Sequence, residues 1–379
     1  MKPFRIGITL TGGGARGAYS AGVQRYLFTE LPKKLGYVPW PYAVAGTSVG
    51  ALNGYFPASH SMFEIDRMTQ IWTKITLSDI FNLPQGGTIS SIRMLWNSFQ
   101  AAYVLSSKPL ERLIFKEAAR RTLRHSIESG HCKAFFVSST RLRDGENVVF
   151  MDTVDPDYTI PPPPRGRIVR TRIYPHHLMA SAAIPILFPP VRIDQELYID
   201  GGVRQNTPLH PLLYGGSERI LVISTRAQKP HQSDVLLEAS MPLLVGKTLN
   251  ALTLDPIERD ERSALRINEI IEWGIKNYGP EFASKIQEDL GFKAVKTLHL
   301  QPSVDLGALA VEHFDLNKIE TTGTTRWFLE KIQASTKESG ESDLLSQLLF
   351  DKSYTAAIEE LGFEDTKSRE TELLEFLSV

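Results

Sequence analysis

The hydrophobic pattern changes period several times along the chain. Phe4 to Leu10 is an isoleucine-rich run that predicts a strand. It enters Gly12-Gly13-Gly14-Ala15-Arg16-Gly17, and Ala18 to Leu31 then follows with helical spacing, ending before Pro32. Tyr42 to Ala45 predicts a short buried strand, which runs into Gly46-Thr47-Ser48-Val49-Gly50 and a second helical stretch. Strand, glycine turn and helix, repeated within the first 55 residues, predicts an α/β fold with a parallel sheet.

Residues 59–124 read mainly as helix, interrupted at Pro84-Gln85-Gly86-Gly87. Lys133 to Thr140 predicts a strand, and Arg143-Asp144-Gly145-Glu146 is a hairpin turn with its return strand at Asn147 to Met151. The proline run Pro161 to Pro164 cannot continue a ladder and marks an edge or a linker. Leu178 to Ala183 reads as a short helix. Val191–Asp194 and Leu197–Ile199 form a second hairpin, and Arg219 to Thr225 is a continuous apolar strand. Beyond residue 233 the pattern is helical, with one strand at Val295 to Leu300. The expected organisation is a three-layer α/β/α unit over 1–230 with a helical insertion at 59–130. A mostly helical extension over 231–379 packs on that core.

Composition narrows the function classes. The chain has 379 residues, 42 basic against 43 acidic, and a formal net charge of −1. That balance argues against a nucleic-acid binder and against attraction of the whole molecule to anionic membranes. One cysteine, Cys132, allows no intramolecular disulfide, and the nine histidines lack metal-type spacing. No metal or cofactor is expected. The N-terminal run is too short for a signal peptide and no apolar run is long enough to span a bilayer. The expectation is a cytoplasmic protein with at most peripheral membrane contact.

Three short motifs carry chemistry. Gly12-x-Gly14-x-x-Gly17 matches a dinucleotide fingerprint, yet no acid ends a second strand about 20 positions on, and no P-loop lysine follows. The same glycines can instead converge their amides on an anion, at the start of a helix whose positive end points the same way. Gly46-x-Ser48-x-Gly50 between strand and helix is a nucleophile elbow, with a helix cap as its plainer reading. Tyr198-Ile199-Asp200-Gly201-Gly202 ends a strand in an acid and two glycines. It reads either as a turn or as a base facing Ser48.

Together these segments resemble the patatin-like phospholipases. Ser181-Ala182-Ala183-Ile184-Pro185 and Asn206-Thr207-Pro208-Leu209, before and after the aspartate motif, resemble the family as well. The resemblance covers residues 4 to about 225. It implies a Ser48–Asp200 dyad, an oxyanion loop of Gly12, Gly13, Gly14, Arg16 and Gly17, and an elbow shaped by Gly46 and Gly50. It implies metal-free hydrolysis of phospholipid, lysophospholipid or other fatty-acyl ester substrates through an acyl-serine. Family members often place Asp before the three glycines, where this chain has Thr11.

Rival readings remain. A triad would use His210, His176 or His177 beside Ser48 and Asp200. A regulated effector lipase, or a low-activity lipid-binding or storage module, would keep the scaffold. Asp200 as a base calls for burial that raises its pKa. Trp96, Phe99 and Tyr103, at helical spacing, suggest a lid touching acyl chains, or an ordinary amphipathic helix. Arg165, Arg167, Arg170 and Arg172 read as a solvated strand face or a phosphate contact.

Overall fold

A computed structural model describes residues 4–81, 105–118, 120–227, 257–290, 293–317, 326, 330 and 343–378. Trp96, Phe99, Tyr103 and the Pro84–Gly87 break lie outside the described residues. Among the described residues nine strands form one sheet: β1 (Ile6–Leu10), β2 (Ala43–Thr47), β3 (Ala134–Arg141), β4 (Asn147–Asp152), β5 (Gly166–Arg170), β6 (Val191–Ile193), β7 (Glu196–Asp200), β8 (Arg219–Ile223) and β9 (Lys296–Leu300). The order is β5-β4-β3-β2-β1-β8-β9, and β3, β2, β1, β8 and β9 are mutually parallel. Around it lie α1 (Gly17–Thr29), α2 (Pro32–Leu35), α3 (Val49–Ala58), α4 (Met62–Trp72), α5 (Leu77–Ile80), α6 (Lys108–Ala118), α7 (Thr122–Glu128) and α8 (Pro175–Ser181). Then come α9 (His210–Tyr214), α10 (Ile257–Tyr278), α11 (Glu281–Leu290), α12 (Leu306–His313), α13 (Asp343–Leu348), α14 (Lys352–Ser368) and α15 (Glu370–Leu377).

Alternation along the central strands divides the interior into two cores. Val44, Phe135, Val137, Leu221 and Ile223 face a large core shared with α1, α3 and α14. Ala43, Ala45, Phe136, Ile220 and Val222 face a smaller one with Leu209 and Leu212 of the α9 region. Period-two side chains buried on both faces explain why these strands read as continuous apolar runs.

The two hairpins form where the turn residues place them: β3–β4 and β6–β7 are antiparallel. Strand β5 carries the arginine cluster read as a strand face. It is an edge strand whose arginines serve local structure: Arg167 pairs with Glu146, and Arg170 donates to the carbonyls of Asp155 and Tyr158. The short helix begins at Pro175, three residues before its expected start, because Pro175 occupies the first turn, where a missing N–H costs nothing.

The C-terminal region is built into the sheet and the large core. β9 pairs with β8 in parallel, and α14 lies along α1. The two helices meet backbone to backbone: a Cβ on Gly362 would sit 2.1 Å from the Tyr19 carbonyl oxygen. Arg25 forks onto buried Glu359 through bonds of 2.8 and 3.1 Å across the same seam. Gly362→Val should therefore destabilise the fold by about 1–3 kcal/mol through overpacking, seen as a lower urea midpoint.

Candidate functional site

The register of β3 brings two distant segments together. Its first half pairs with β2, ending at Thr47 opposite Ser138. Its last residues pair instead with β7, starting at Asp200 opposite Ser139. Since β4 occupies the other edge of β3, β2 and β7 must lie end to end along one edge. Ser48 leaves one strand where Asp200 finishes the other.

Ser48 sits in the sharp turn between β2 and α3, at φ 55° and ψ −130°. That is a strained backbone for a residue with a Cβ, and such strain persists only where surrounding contacts hold it. The Ser48 N–H donates to Ser181 Oγ at 2.8 Å, and that hydroxyl donates to the Ser138 carbonyl at 2.6 Å. Thr47 Oγ1 donates to the Gln205 carbonyl at 2.9 Å. Gly50 lets α3 settle onto β1: a Cβ there would meet the Leu10 carbonyl oxygen at 2.3 Å.

Asp200 is buried and accepts the Gly202 N–H at 2.7 Å. Burial pushes its carboxyl up to about 6. The hydrogen bond with the Ser48 side chain, and that from Gly202, pull it down by less. Burial thus wins over two hydrogen bonds, and the shift has the direction expected of a carboxylate tuned as a base.

The glycine loop faces the same niche. Gly12, Gly13 and Gly14 line it with Ser48, Asp200 and Asn206. Gly12 donates its N–H to Asn206 Oδ1 at 3.0 Å, and its carbonyl accepts from Thr225 Oγ1 at 2.7 Å. Thr11 Oγ1 accepts the Thr225 N–H at 3.0 Å and so ties the start of the loop to the segment after β8. Arg16 points away from the niche. Its guanidinium donates to Ser346 Oγ at 2.8 Å and to Asp343 Oδ1 at 3.0 Å, in a nearly buried ion pair. Gly14, at φ 57°, lies so close to α13 that a Cβ would meet the Gln347 carbonyl oxygen at 2.2 Å.

None of the histidines considered for a triad lines this niche. His210 Nε2 is bonded to the Pro161 carbonyl at 3.0 Å. His177 Nδ1 accepts the Tyr174 N–H at 2.9 Å, and burial pushes its imidazole down to about 3. His176 stacks with Tyr174. Among the described residues no cluster of three His, Cys, Asp or Glu side chains is placed to hold a metal. None of their helices is long and apolar enough to cross a membrane.

A second, apolar cavity also reaches Ser48. Leu52, Met68, Ile114, Leu178 and Phe188 line it, and the C-terminal segment closes it with Leu348 and Phe350. Gln347 borders both spaces. Sequence reading did not find this α13 contribution. Asp343-Leu344-Leu345-Ser346-Gln347-Leu348 carries no motif, and only the 327-residue separation closed by the fold reveals its partner, Arg16.

VipD from Legionella pneumophila is similar in structure at 12% identity and a TM-score of 0.40, over 98% of this chain and 67% of that one. Human GIVD cytosolic phospholipase A2 is similar at 13% identity and a TM-score of 0.42, over 99% of this chain and 60% of that one. This chain therefore spans less than two thirds of the human enzyme. The family model described as patatin-like phospholipase matches residues 8–213, more than half of the sequence, and the chain belongs to that family.

Proposed function

We propose that the chain is a serine acyl hydrolase acting on lipid esters, with Ser48 as nucleophile and Asp200 as general base. The observation that carries this reading is the β2–β7 junction, which holds a strained serine at the N-terminus of α3 against a buried carboxylate whose proton affinity is raised. Asp200 takes the Ser48 proton as Oγ attacks the ester carbonyl carbon. The tetrahedral oxyanion settles on the Gly13 and Gly14 amides, since Gly12 has given its N–H to Asn206. Collapse expels the alcohol, which receives the proton from Asp200 and leaves an acyl-serine. Water then attacks with Asp200 as base again, returning serine and releasing the fatty acid. The apolar cavity takes the acyl chain.

Arg16 acts in this scheme as a positioning residue. Its ion pair fixes the loop against α13 and keeps the Gly13 and Gly14 amides aimed.

Ser48→Ala and Asp200→Asn should each lower kcat on a p-nitrophenyl ester by about a thousandfold or more. Wild-type activity in either variant would overturn the dyad. The free-enzyme profile of kcat/KM should rise with pH around a midpoint of about 6, as Asp200 loses its proton.

The same group sets a stability trend. Asp200 binds its proton more tightly in the folded chain than at the ordinary value of 3.8. Its contribution is fully present below about pH 4 and is lost as pH rises through about 6. Asp200→Asn should therefore gain roughly 1–3 kcal/mol relative to wild type between pH 4 and pH 7, measured by urea unfolding.

Asp343→Ala should cut kcat about tenfold to a hundredfold with little change in KM, by loosening the oxyanion loop. Leu113→Trp, which narrows the apolar cavity, should lower kcat/KM for a long-chain ester at least about tenfold and spare a butyrate ester.

A further inference from the structure

Helix α6 has two faces of different chemistry. Leu110, Ile114 and Ala118 point inward and form a wall of the apolar cavity beside Ser48. Lys108, Arg112, Phe115 and Lys116 point outward and are exposed. From residue 108 to 124 the chain carries Lys108, Arg112, Lys116, Arg120, Arg121 and Arg124 against only Glu111 and Glu117. Glu117 is turned inward, where Arg67 forks onto it at 2.8 and 3.1 Å. Glu128 and Asp152 answer Arg124, and Asp66 is exposed on neighbouring α4. A positive excess remains on one face of a molecule whose net charge is −1.

The same face displays aromatic side chains. Phe63, Phe115 and Tyr174 are all exposed. Each of two arginines lies over a ring at 5.2 Å: Arg120 over Phe63, and Arg172 over Tyr174. Between Phe115, Arg121, Arg172 and Tyr174 opens a cavity of about 480 Å³. It shares Tyr55, Ala118 and Leu178 with the apolar cavity that reaches Ser48. Basic side chains beside exposed aromatics suit the headgroup layer of a bilayer, where the rings sink into the boundary and the charges meet anionic lipid.

We propose that the outer face of α6, with Phe63, Arg121, Arg172 and Tyr174, docks the protein on an anionic lipid bilayer. The arginine-rimmed cavity is then the doorway by which a lipid passes from that bilayer to the acyl cavity. Two features select this occupant: the charge of the face is opposite to that of the bilayer, and the doorway shares Tyr55, Ala118 and Leu178 with an apolar space of acyl character. The inference names the partner surface of the proposed hydrolase and rests on that reading for the use of the cavity.

The test is co-sedimentation of the full chain carrying Ser48→Ala, which leaves the vesicles unhydrolysed. The vesicles are phosphatidylcholine alone, or the same lipid with about one part in three phosphatidylglycerol. The protein should favour the anionic vesicles. Arg121→Gln with Arg172→Gln should weaken that partitioning about 25-fold, at about fivefold per charge. Phe63→Ser with Phe115→Ser should weaken it about tenfold or more. Arg121→Lys with Arg172→Lys should restore most of the binding.

In the Ser48 background, all three double variants should hydrolyse a short water-soluble ester as well as the parent, which shows that they fold. Equal binding to both vesicle types, or variants that bind like the parent, would overturn the docking face. Loss on charge removal with no loss on phenylalanine removal would also overturn it, marking a site for soluble polyanions. Binding to anionic vesicles as described, with no ester hydrolysis by the protein that keeps Ser48, would leave the docking face standing and defeat the acyl-hydrolase reading instead.

Discussion

One edge of β3 is shared by two strands running in opposite directions, and the site depends on that arrangement. Hydrogen bonding along a strand edge is saturated residue by residue, so β7 begins its pairing at the position after β2 ends. The turn that leaves β2 and the turn that leaves β7 are therefore forced into the same small volume. Ser48 and Asp200, 152 positions apart in sequence, need no flexible side chain to meet. The backbone strain at Ser48 follows from the same constraint, because α3 must start at once and pack against β1.

Much of this layout was legible in the residues. The apolar runs at Phe4–Leu10, Tyr42–Ala45 and Arg219–Thr225 identify buried parallel strands, because strands covered on both faces have no polar alternation. Glycines mark the turns for a reason the structure supplies: at Gly14 and Gly50 a neighbouring backbone carbonyl fills the space a side chain would need. Ser48 and Asp200 were legible for the same reason. Each lies in a turn whose glycines are required by close approach, and such requirements leave a local mark.

What was not legible is long-range. Nothing around Asp343 to Phe350 signals that it borders the niche, since a contact between a backbone carbonyl and a glycine 333 positions away imposes no pattern on the carbonyl's own residue. Arg16 shows the converse difficulty. Its place in the glycine motif suggests a role facing the niche, whereas its side chain crosses to α13 and acts on the loop from behind. The arginines of β5 marked a strand face, but not that Glu146 and the carbonyls of Asp155 and Tyr158 take two of them up.

The brace between Arg16 and α13 also bears on the order in which the molecule matures. During synthesis, both strands that deliver Ser48 and Asp200 leave the ribosome more than 140 residues before Asp343 does. Until α13 arrives, the glycine loop lacks the carbonyl it packs on and the guanidinium lacks its carboxylate, while the apolar cavity is missing Leu348 and Phe350. A nascent chain thus holds Ser48 beside Asp200 before α13 closes over the glycine loop. The niche is thus walled on all its sides only once translation has passed the C-terminal helices.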